Sequence, residues 1–316
     1  MPDGHKVLVE EPRAWAEAIA AIVSGRAQRV MVIGGTDAGK SSFARAALAT
    51  WMRAGDAPLL LDTDPGQKMV GPPGTVTLGD VDPAGQLVLQ ALSFVGTTSA
   101  AAISEIMSAA TALARRVAGR PLIINTSGLV RGPGVPLLLG LIERLSVDQL
   151  VVIGSPSELQ PILLKARLPT VLLDSAPAAR RKGRGERASS RRDAFKEHLA
   201  PASRLVLPRS ETHLLMSPTV CLALPTARSV CVLSDSDRCD LSLGVLETYD
   251  HEALVIAAPS PMLPVQSVRL GSMWAQQSFA GWQLLDELLP AFAGTRDALV
   301  LSYALARDKG GPSVAS

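Results

Sequence analysis

One stretch of this chain combines the residue types that bind a phosphate group. Residues 34–41 read GGTDAGKS and match the pattern GxxxxGK[ST] without a mismatch. Glycines in such a loop let the backbone turn tightly and direct N–H groups at phosphate oxygens, and the following helix points its positive N-terminus at the same anion. Lys40 would reach the β- and γ-phosphates, and Ser41 would ligate Mg²⁺. We therefore expect nucleotide contacts from Gly34, Gly35, Thr36, Asp37, Ala38, Gly39, Lys40, Ser41 and Ser42.

Two carboxylates follow a second apolar run, in LLLDTDPGQ. Asp62 and Asp64 lie two residues apart, so they share a face if the strand continues through them. The carboxyl ends of parallel strands meet at one edge of a sheet, where the phosphate loop would also lie. One carboxylate could hold Mg²⁺ or its water, and the other could accept a proton from an attacking hydroxyl, because a carboxyl of pKa ~4 is ionised at neutral pH. The alternative is a strand-ending turn with solvated acids.

A basic run lies at residues 180–192, with seven basic side chains against one acid. Arg187 and Arg191 are four residues apart and would share one face of a helix. Arginine binds phosphate oxygens with two parallel hydrogen bonds and could stabilise the charge on a transferring phosphoryl group. Two alternatives remain open: a solvated basic helix or loop, and the use of Arg180 and Arg184, which have the same spacing.

The elements that must position these residues alternate between helix and strand. Apolar residues at helical spacing and short β-branched runs follow one another from residue 12 to residue 208, which predicts a parallel sheet with helices on both faces. The expected helices cover residues 12–24, 41–54, 100–118, 135–145 and 158–165. The expected strands cover residues 29–33, 59–61, 86–95, 122–125, 150–153 and 171–173.

The pattern changes beyond residue 207. Short β-rich segments separated by turn residues occupy 214–224, 229–233, 241–249, 253–257 and 265–270, and helical spacing returns only at 282–293. The sequence therefore predicts an α/β fold of the P-loop NTPase type, with a mostly parallel sheet flanked by helices, in residues 1–208. A small, mostly-β C-terminal domain is expected in residues 209–316.

Composition excludes several classes of protein. The 316 residues are 47% hydrophobic and 19% charged, which excludes a disordered tail or a collagen-like repeat. The net charge is +2, so any basic surface must be local, and no apolar stretch is long enough to span a bilayer. Cys221, Cys231 and Cys239 have no metal-binding spacing, and we expect reduced thiols in a cytoplasmic protein without a membrane partner.

Four segments, in this order, resemble the 5′-hydroxyl polynucleotide kinases: GGTDAGKSS, LLLDTDPGQKMVGPPGTVTLG, FVGTTSA and LIINTSGLVRG. That family contains the kinase of the eukaryotic mRNA cleavage machinery, its pre-rRNA-processing relatives, and archaeal and bacterial counterparts. Two later segments, SLGVLETYDHEALVIAAP and VQSVRLGSM, resemble the family's C-terminal β domain. Only about thirty residues precede the phosphate loop, so we expect a bacterial or archaeal type of member without the N-terminal β domain of the mRNA-cleavage kinase.

The resemblance implies a role for each matching residue. Asp64 would activate the 5′-hydroxyl, with Asp62 as its acidic neighbour and a metal ligand, and Gln67 would contact substrate. The family's clasp, written TxGW, is matched by Thr126 and Gly128, but Leu129 stands where the family often has Trp. The catalytic set implied is Lys40, Asp64, Thr126 and the lid arginines Arg187 and Arg191.

Two loops could line a groove for the acceptor strand. Residues 71–75 read GPPGT and residues 96–99 read GTTS, so backbone N–H groups and hydroxyls of Gly74, Thr75 and Thr97 could contact it. Ordinary turns are the alternative. Aromatic residues make up only 3% of the chain, which argues against a platform on which bases stack.

We therefore expect an enzyme that uses ATP and Mg²⁺ to phosphorylate the 5′-hydroxyl end of RNA, or also of DNA. A P-loop switch or partitioning ATPase is one alternative, although such proteins usually carry an additional Lys early in the loop, where this chain has Gly35 and Thr36. An inactive scaffold of the same family is the other. The sequence indicates no particular protein partner.

Overall fold

The computed structural model describes residues 12–117, 119–176, 180–217, 227–278 and 281–285. These residues form two compact units. The first takes the described residues up to Gly71, together with Thr75–Ser93 and Ser99–Arg187. The second takes Pro72–Gly74, Phe94–Thr98 and the described residues from Ala188 onward.

The first unit is built on a seven-stranded sheet. Its strands are β1 (Arg29–Gly34), β2 (Leu59–Asp62), β3 (Thr75–Val81), β4 (Leu87–Phe94), β5 (Leu122–Asn125), β6 (Gln149–Ile153) and β7 (Thr170–Leu173). Their spatial order is β4-β3-β2-β5-β1-β6-β7. The five strands from β2 to β7 in that order pair in parallel, and β3 pairs antiparallel with β2. The expected mostly parallel sheet is confirmed.

The helices of this unit lie where the apolar spacing predicts them. They are α1 (Arg13–Ser24), α2 (Lys40–Arg53), α3 (Ile103–Ala114), α4 (Gly134–Arg144) and α5 (Pro156–Ala166). Strands β2 and β5 are buried at every residue, as expected for a parallel sheet covered on both faces. The core beside β1 contains Trp15, Phe43 and Trp51, and the rings of Trp15 and Phe43 meet edge to face at 5.6 Å. This packing fixes α1 and α2 beside the strand that leads into the phosphate loop.

Strand β3 was not expected from the sequence. Its segment, TVTLGDV, combines Thr, Gly and Asp, so it lacks the apolar run by which the other strands of the sheet are recognised. Antiparallel pairing with β2 places it, with Leu60 opposite Gly79 and Asp62 opposite Thr77. The pairing buries Thr75 and Thr77 completely.

The second unit contains an antiparallel sheet and most of one helix. The helix is α6 (Arg184–Leu199), and the strands are β8 (Ala202–Pro208), β9 (His213–Met216), β10 (Ser229–Ser234), β11 (Asp240–Tyr249), β12 (Ala253–Pro259), β13 (Ser267–Ser278) and β14 (Gly281–Leu285). The order is β14-β13-β10-β11-β12-β8, and β9 pairs in parallel with β13. The expected mostly-β region at the C-terminal side is confirmed.

The helix expected at residues 282–293 needs correction. Residues 282–285 are not helical but belong to β14, because they pair antiparallel with β13. The remainder of the helix expected at 282–293 lies outside the described residues, as do residues 218–224 of an expected strand and Cys221. The domain boundary expected after residue 208 stays a prediction about folding units, although β8 pairs with β12 and so belongs to the second sheet.

Other expectations concern thiols and membranes. Cys231 and Cys239 are free, and burial raises the pKa of the Cys231 thiol to about 12, so this thiol is unreactive at neutral pH. Among the described residues, none of the helices combines the length and apolar character needed to cross a membrane.

Candidate active site

The phosphate loop joins β1 to α2. Strand β1 ends at Gly34, and Gly39 precedes the first residue of α2 with a φ of 105°, a left-handed conformation that glycine adopts without strain. A side chain at this position would also collide with the Trp15 ring, which lies 2.7 Å from the place of its Cβ. The first turn of α2 therefore opens directly onto the loop, as anion binding at a helix N-terminus requires.

Lys40 is turned back onto its own loop. Its ammonium group donates to the carbonyl oxygens of Gly34 at 2.9 Å and Gly35 at 2.7 Å, and the residue is only 7% exposed. Burial lowers the pKa of Lys40 to about 8, while the negative charges of Asp64 and Asp37 oppose that shift. The cation thus lies at the loop, where a bound phosphate would offer it a stronger partner than two carbonyls.

Asp62 is completely buried and surrounded by donors. Its Oδ1 accepts from the Asn125 side-chain amide at 3.0 Å and the Asp64 backbone N–H at 3.3 Å. Its Oδ2 accepts from the Met69 backbone N–H at 2.7 Å and lies 3.3 Å from the Lys68 ammonium nitrogen. These contacts occupy both oxygens, so the carboxylate organises the loop that follows β2. Its expected role as a metal ligand stays a prediction.

Asp64 lies in a tight turn beside the buried ion pair of Asp62 and Lys68. Its Oδ1 accepts backbone hydrogen bonds from Gly66 at 2.8 Å and Gln67 at 3.0 Å. Burial raises the pKa of Asp64, and the Asp62 charge raises it further, against the effect of the two hydrogen bonds and the Lys68 cation. A carboxylate with a raised pKa is a better proton acceptor than a solvated one, which agrees with the expected role.

Lys68 was not recognised from the sequence. Its side chain is 1% exposed, and its ammonium donates to the backbone oxygens of Asp62 at 2.9 Å and Thr75 at 3.2 Å. Burial lowers the pKa of Lys68, and the charges of Asp62 and Asp64 oppose this shift. Lys68 thereby joins the carboxylate loop to the start of β3. No spacing in the sequence marked it, because a lysine after Gln67 has the appearance of an ordinary loop residue.

Strand β5 lies between β1 and β2, so its end separates the phosphate loop from the two carboxylates. Asn125 of β5 lies opposite Asp62 of β2 in the sheet. The Oδ1 atom of Asn125 is buried without a hydrogen-bond partner among the described residues. The Thr126 hydroxyl donates to the Val32 carbonyl at 2.8 Å, which gives it a structural contact; its catalytic role stays a prediction. Gly128 packs against the loop, since a Cβ there would lie 2.6 Å from the Thr36 Cα.

Mg²⁺ chemistry fits the oxygen donors at this edge. Ser41 is exposed in the first turn of α2, and the unpartnered Asn125 oxygen is an acceptor that a metal-bound water would satisfy. Mg²⁺ in phosphoryl-transfer sites usually keeps several waters and takes few direct protein ligands. The residues present can therefore hold the ion mainly through Ser41 and through water.

The basic run contacts the phosphate loop. Arg187 Nη2 donates to Asp37 Oδ2 at 2.6 Å, and the Lys182 backbone N–H donates to the same oxygen at 3.0 Å. The Gln67 side-chain amide donates to the Arg187 carbonyl at 3.2 Å. Arg180 instead pairs with Glu186 at 2.5 Å, near the start of α6. The structure therefore brings Arg187, rather than Arg180, to the phosphate loop.

A cleft of about 560 Å³ lies at this contact. It is lined by the phosphate loop, by the segment around Leu129 and by the basic run, and its charged side chains are Asp37, Arg131, Glu158, Arg181, Lys182, Arg184 and Arg187. Glu158 pairs with Arg131 at 2.9 Å. Five basic groups against two acidic ones make the cleft suitable for a polyanion.

Three expected site residues belong to the second unit: Gly74, Thr97 and Arg191. Gly74 accepts hydrogen bonds from the N–H groups of Val95 at 2.9 Å and Gly96 at 3.2 Å, so the two expected acceptor loops are joined to each other. Ser272 of β13 donates its N–H to Gly96 at 2.8 Å. Thr75 is buried, and its carbonyl accepts from Lys68. The substrate contacts expected of Gly74, Thr75 and Thr97 stay predictions, and so does the catalytic role expected of Arg191.

The chain is similar to known proteins in sequence and in fold. The family model described as mRNA cleavage and polyadenylation factor CLP1 P-loop matches residues 34–200. The polyribonucleotide 5′-hydroxyl-kinase of Pyrococcus horikoshii is 30% identical over 176 residues, which cover 54% of this chain and 49% of that protein. The polyribonucleotide 5′-hydroxyl-kinase Clp1 of Gallus gallus is 28% identical over 194 residues, covering 55% and 45%. The chain thus spans about half the length of these curated relatives.

Solved structures show the same fold. The structure of the wild-type Clp1p–Pcf11p complex superposes with a TM-score of 0.66 at 14% identity, over 82% of this chain and 77% of that one. A second structure of that pair gives a TM-score of 0.64 at 13% identity. At such identity the likeness concerns the fold alone. Because the family model matches more than half of the 316 residues, the chain belongs to the CLP1 P-loop family.

Proposed function

We propose that this protein is a polynucleotide kinase that transfers the γ-phosphate of ATP to the 5′-hydroxyl end of RNA. One observation carries the proposal: Arg187 contacts both the phosphate loop, through Asp37, and the carboxylate loop, through Gln67. A phosphate-binding loop, a proton acceptor and a cation for the transferring group are the parts that phosphoryl transfer to an alcohol needs.

Each part has a role in the proposed reaction. The N–H groups of the phosphate loop and the Lys40 ammonium hold the β- and γ-phosphates of ATP. Asp64 accepts the proton of the 5′-hydroxyl, whose oxygen attacks the γ-phosphorus in line with the departing ADP oxygen. Arg187 stabilises the charge on the three equatorial oxygens of the transferring group. Ser41 would hold Mg²⁺, which neutralises phosphate charge when bound.

The curated relatives support RNA as the acceptor, since both are named polyribonucleotide 5′-hydroxyl-kinases. DNA with a 5′-hydroxyl end is the second candidate acceptor. A switch or partitioning ATPase is not favoured, because membership of the CLP1 family agrees with a kinase. The cytoplasmic location expected from the sequence stays a prediction, and no protein partner is proposed.

The test is transfer of labelled γ-phosphate from ATP to matched RNA and DNA oligonucleotides with a 5′-hydroxyl. Oligonucleotides already carrying a 5′-phosphate serve as the substrate control. Lys40→Ala should abolish transfer with the fold retained, while Lys165→Ala, which removes an exposed lysine of α5, should leave transfer unchanged. Rapid ATP hydrolysis without acceptor and without labelled oligonucleotide would refute the kinase and favour the switch ATPase.

A further inference from the structure

Asp37 is an acidic side chain in a loop that must hold polyphosphate. A carboxylate beside a triphosphate is repulsive, so phosphate binding itself gives no reason for an acid here. The backbone at Asp37 has a φ of 60°, which Asp and Asn adopt more readily than other non-glycine residues. Its side chain is only 14% exposed, because it lies against the basic run.

One oxygen of Asp37 holds two points of that run. Oδ2 accepts from the Arg187 guanidinium at 2.6 Å and from the Lys182 backbone N–H at 3.0 Å. The contact from the guanidinium is a short ion-pair hydrogen bond, the stronger class in proteins, and the contact from the backbone N–H is of ordinary length. A single carboxylate therefore fastens both the start of the segment Lys182–Arg187 and the side chain at its end.

Gln67 fastens the same segment from the other side. Gln67 lies three residues after the expected proton acceptor Asp64, and its side-chain amide donates to the Arg187 carbonyl at 3.2 Å. Arg187 is thus held through its side chain by the phosphate loop and through its backbone by the carboxylate loop. Both contacts are made by the protein's own atoms.

We propose that Asp37 is a positioning residue that docks the segment Lys182–Arg187 on the phosphate loop, and that Gln67 completes the docking. A guanidinium carries five N–H donors, so a group anchored through Nη2 still offers donors to an anion. Ordering a long, flexible arginine before the substrate arrives removes part of the entropy cost from the reaction itself. The effect of docking on catalysis rests on the proposed kinase function, whereas the docking itself does not.

Limited trypsin digestion of the full chain tests the docking without reference to activity. Trypsin cleaves after Lys and Arg, and cleavage within a docked segment requires it to open first. Asp37→Asn keeps a residue that tolerates the left-handed backbone but loses the charge, and it should raise cleavage after Lys182 and Arg187 about tenfold. Fragment masses identify the cleavage sites, and thermal melting confirms that the variant is folded.

Glu158→Gln is the matched control, because it removes one carboxylate from the same cleft without removing a contact to the run. It should leave cleavage of the run unchanged. Docking by Asp37 is refuted if Asp37→Asn is cleaved like wild type, or if Glu158→Gln is cleaved as fast as Asp37→Asn. Gln67→Leu should raise cleavage less than Asp37→Asn, because its hydrogen bond is neutral and longer.

A double-mutant cycle then tests the consequence for catalysis. Asp37→Asn should lower kcat about tenfold with little change in the KM for ATP. Most of this effect should disappear in an Arg187→Ala background, and the remainder reflects the loss of the Asp37 charge near Lys40. A rise in kcat would overturn positioning and show that Asp37 restrains Arg187 instead. If wild type phosphorylates no oligonucleotide while the protease result holds, the proposed function fails and the docking stands.

Discussion

Replacing Lys68 by Met should destabilise the first unit strongly. Met has a similar length and an unbranched chain, so it fills the space of the lysine stem without its charge. The replacement leaves the Asp62 carboxylate, which is completely buried, without a cationic partner, and it removes the donor from the backbone oxygens of Asp62 and Thr75. Breaking one partner of a buried ion pair typically costs about 3–5 kcal/mol, and we expect a loss in that range.

Two further variants isolate the pair. Arg13→Met removes one partner of the exposed Arg13–Glu17 pair and should cost no more than about 0.5 kcal/mol. Combining Lys68→Met with Asp62→Asn should cost less than the two single losses together, because the double variant leaves no unbalanced charge. The contrast between Lys68 and Arg13 follows from exposure, which is 1% for the first side chain and 93% for the second.

The assay is urea unfolding followed by hydrogen exchange of peptides from β2 and β5, which report on the first unit alone. A loss below about 1 kcal/mol for Lys68→Met, or a loss equal to that of Arg13→Met, would refute the reasoning. It would mean that Asp62 carries no charge that Lys68 balances. Strictly additive losses in the double variant would refute it as well.

Three other predictions concern catalysis and pH. Asp64→Asn should keep ATP binding but lose about 10²–10⁴-fold in transfer rate. The acid limb of the wild-type kcat/KM profile should lie above the ordinary Asp pKa of 3.8. A small loss of rate in Asp64→Asn with a complete loss in Asp62→Asn would reverse the roles of the two carboxylates. Arg187→Ala and Arg191→Ala should lower kcat far more than they weaken ATP binding. An unchanged kcat with a higher and less salt-dependent KM for the acceptor would instead show that these arginines bind the oligonucleotide backbone. Burial lowers the pKa of His198 from 6.5 to about 4, so the unfolded chain binds more protons than the folded chain between these pH values. The free energy of unfolding should therefore fall, by up to about 3 kcal/mol, as the pH drops through that window. Thermal melts of His198→Gln should lack this dependence.

The amino-acid sequence by itself determined the features that depend on local pattern. The phosphate loop was recognisable because its chemistry needs Gly, Lys and Ser at fixed spacing within eight residues. Strands β1, β2, β5 and β6 were recognisable because burial on both faces requires continuous apolar runs. The change from α/β to mostly-β character was visible for the same reason, since hydrophobic periodicity is a property of neighbouring residues.

The tertiary structure decided which distant residues meet. Strand β3 is defined by its pairing with β2, and its own composition is weakly apolar, so no local pattern reveals it. The insertion of β5 between β1 and β2 placed Asn125 beside Asp62, which lies 63 residues away in the chain.

The same holds for the charges around the site. Asp37 and Arg187 are 150 residues apart, and the sequence offered several arginines of equivalent spacing. Lys68 is buried only because the loop after β2 folds back over the start of β3. Sequence patterns report the burial and conformation of a segment, whereas the partner of a charged side chain depends on long-range packing that no local spacing encodes.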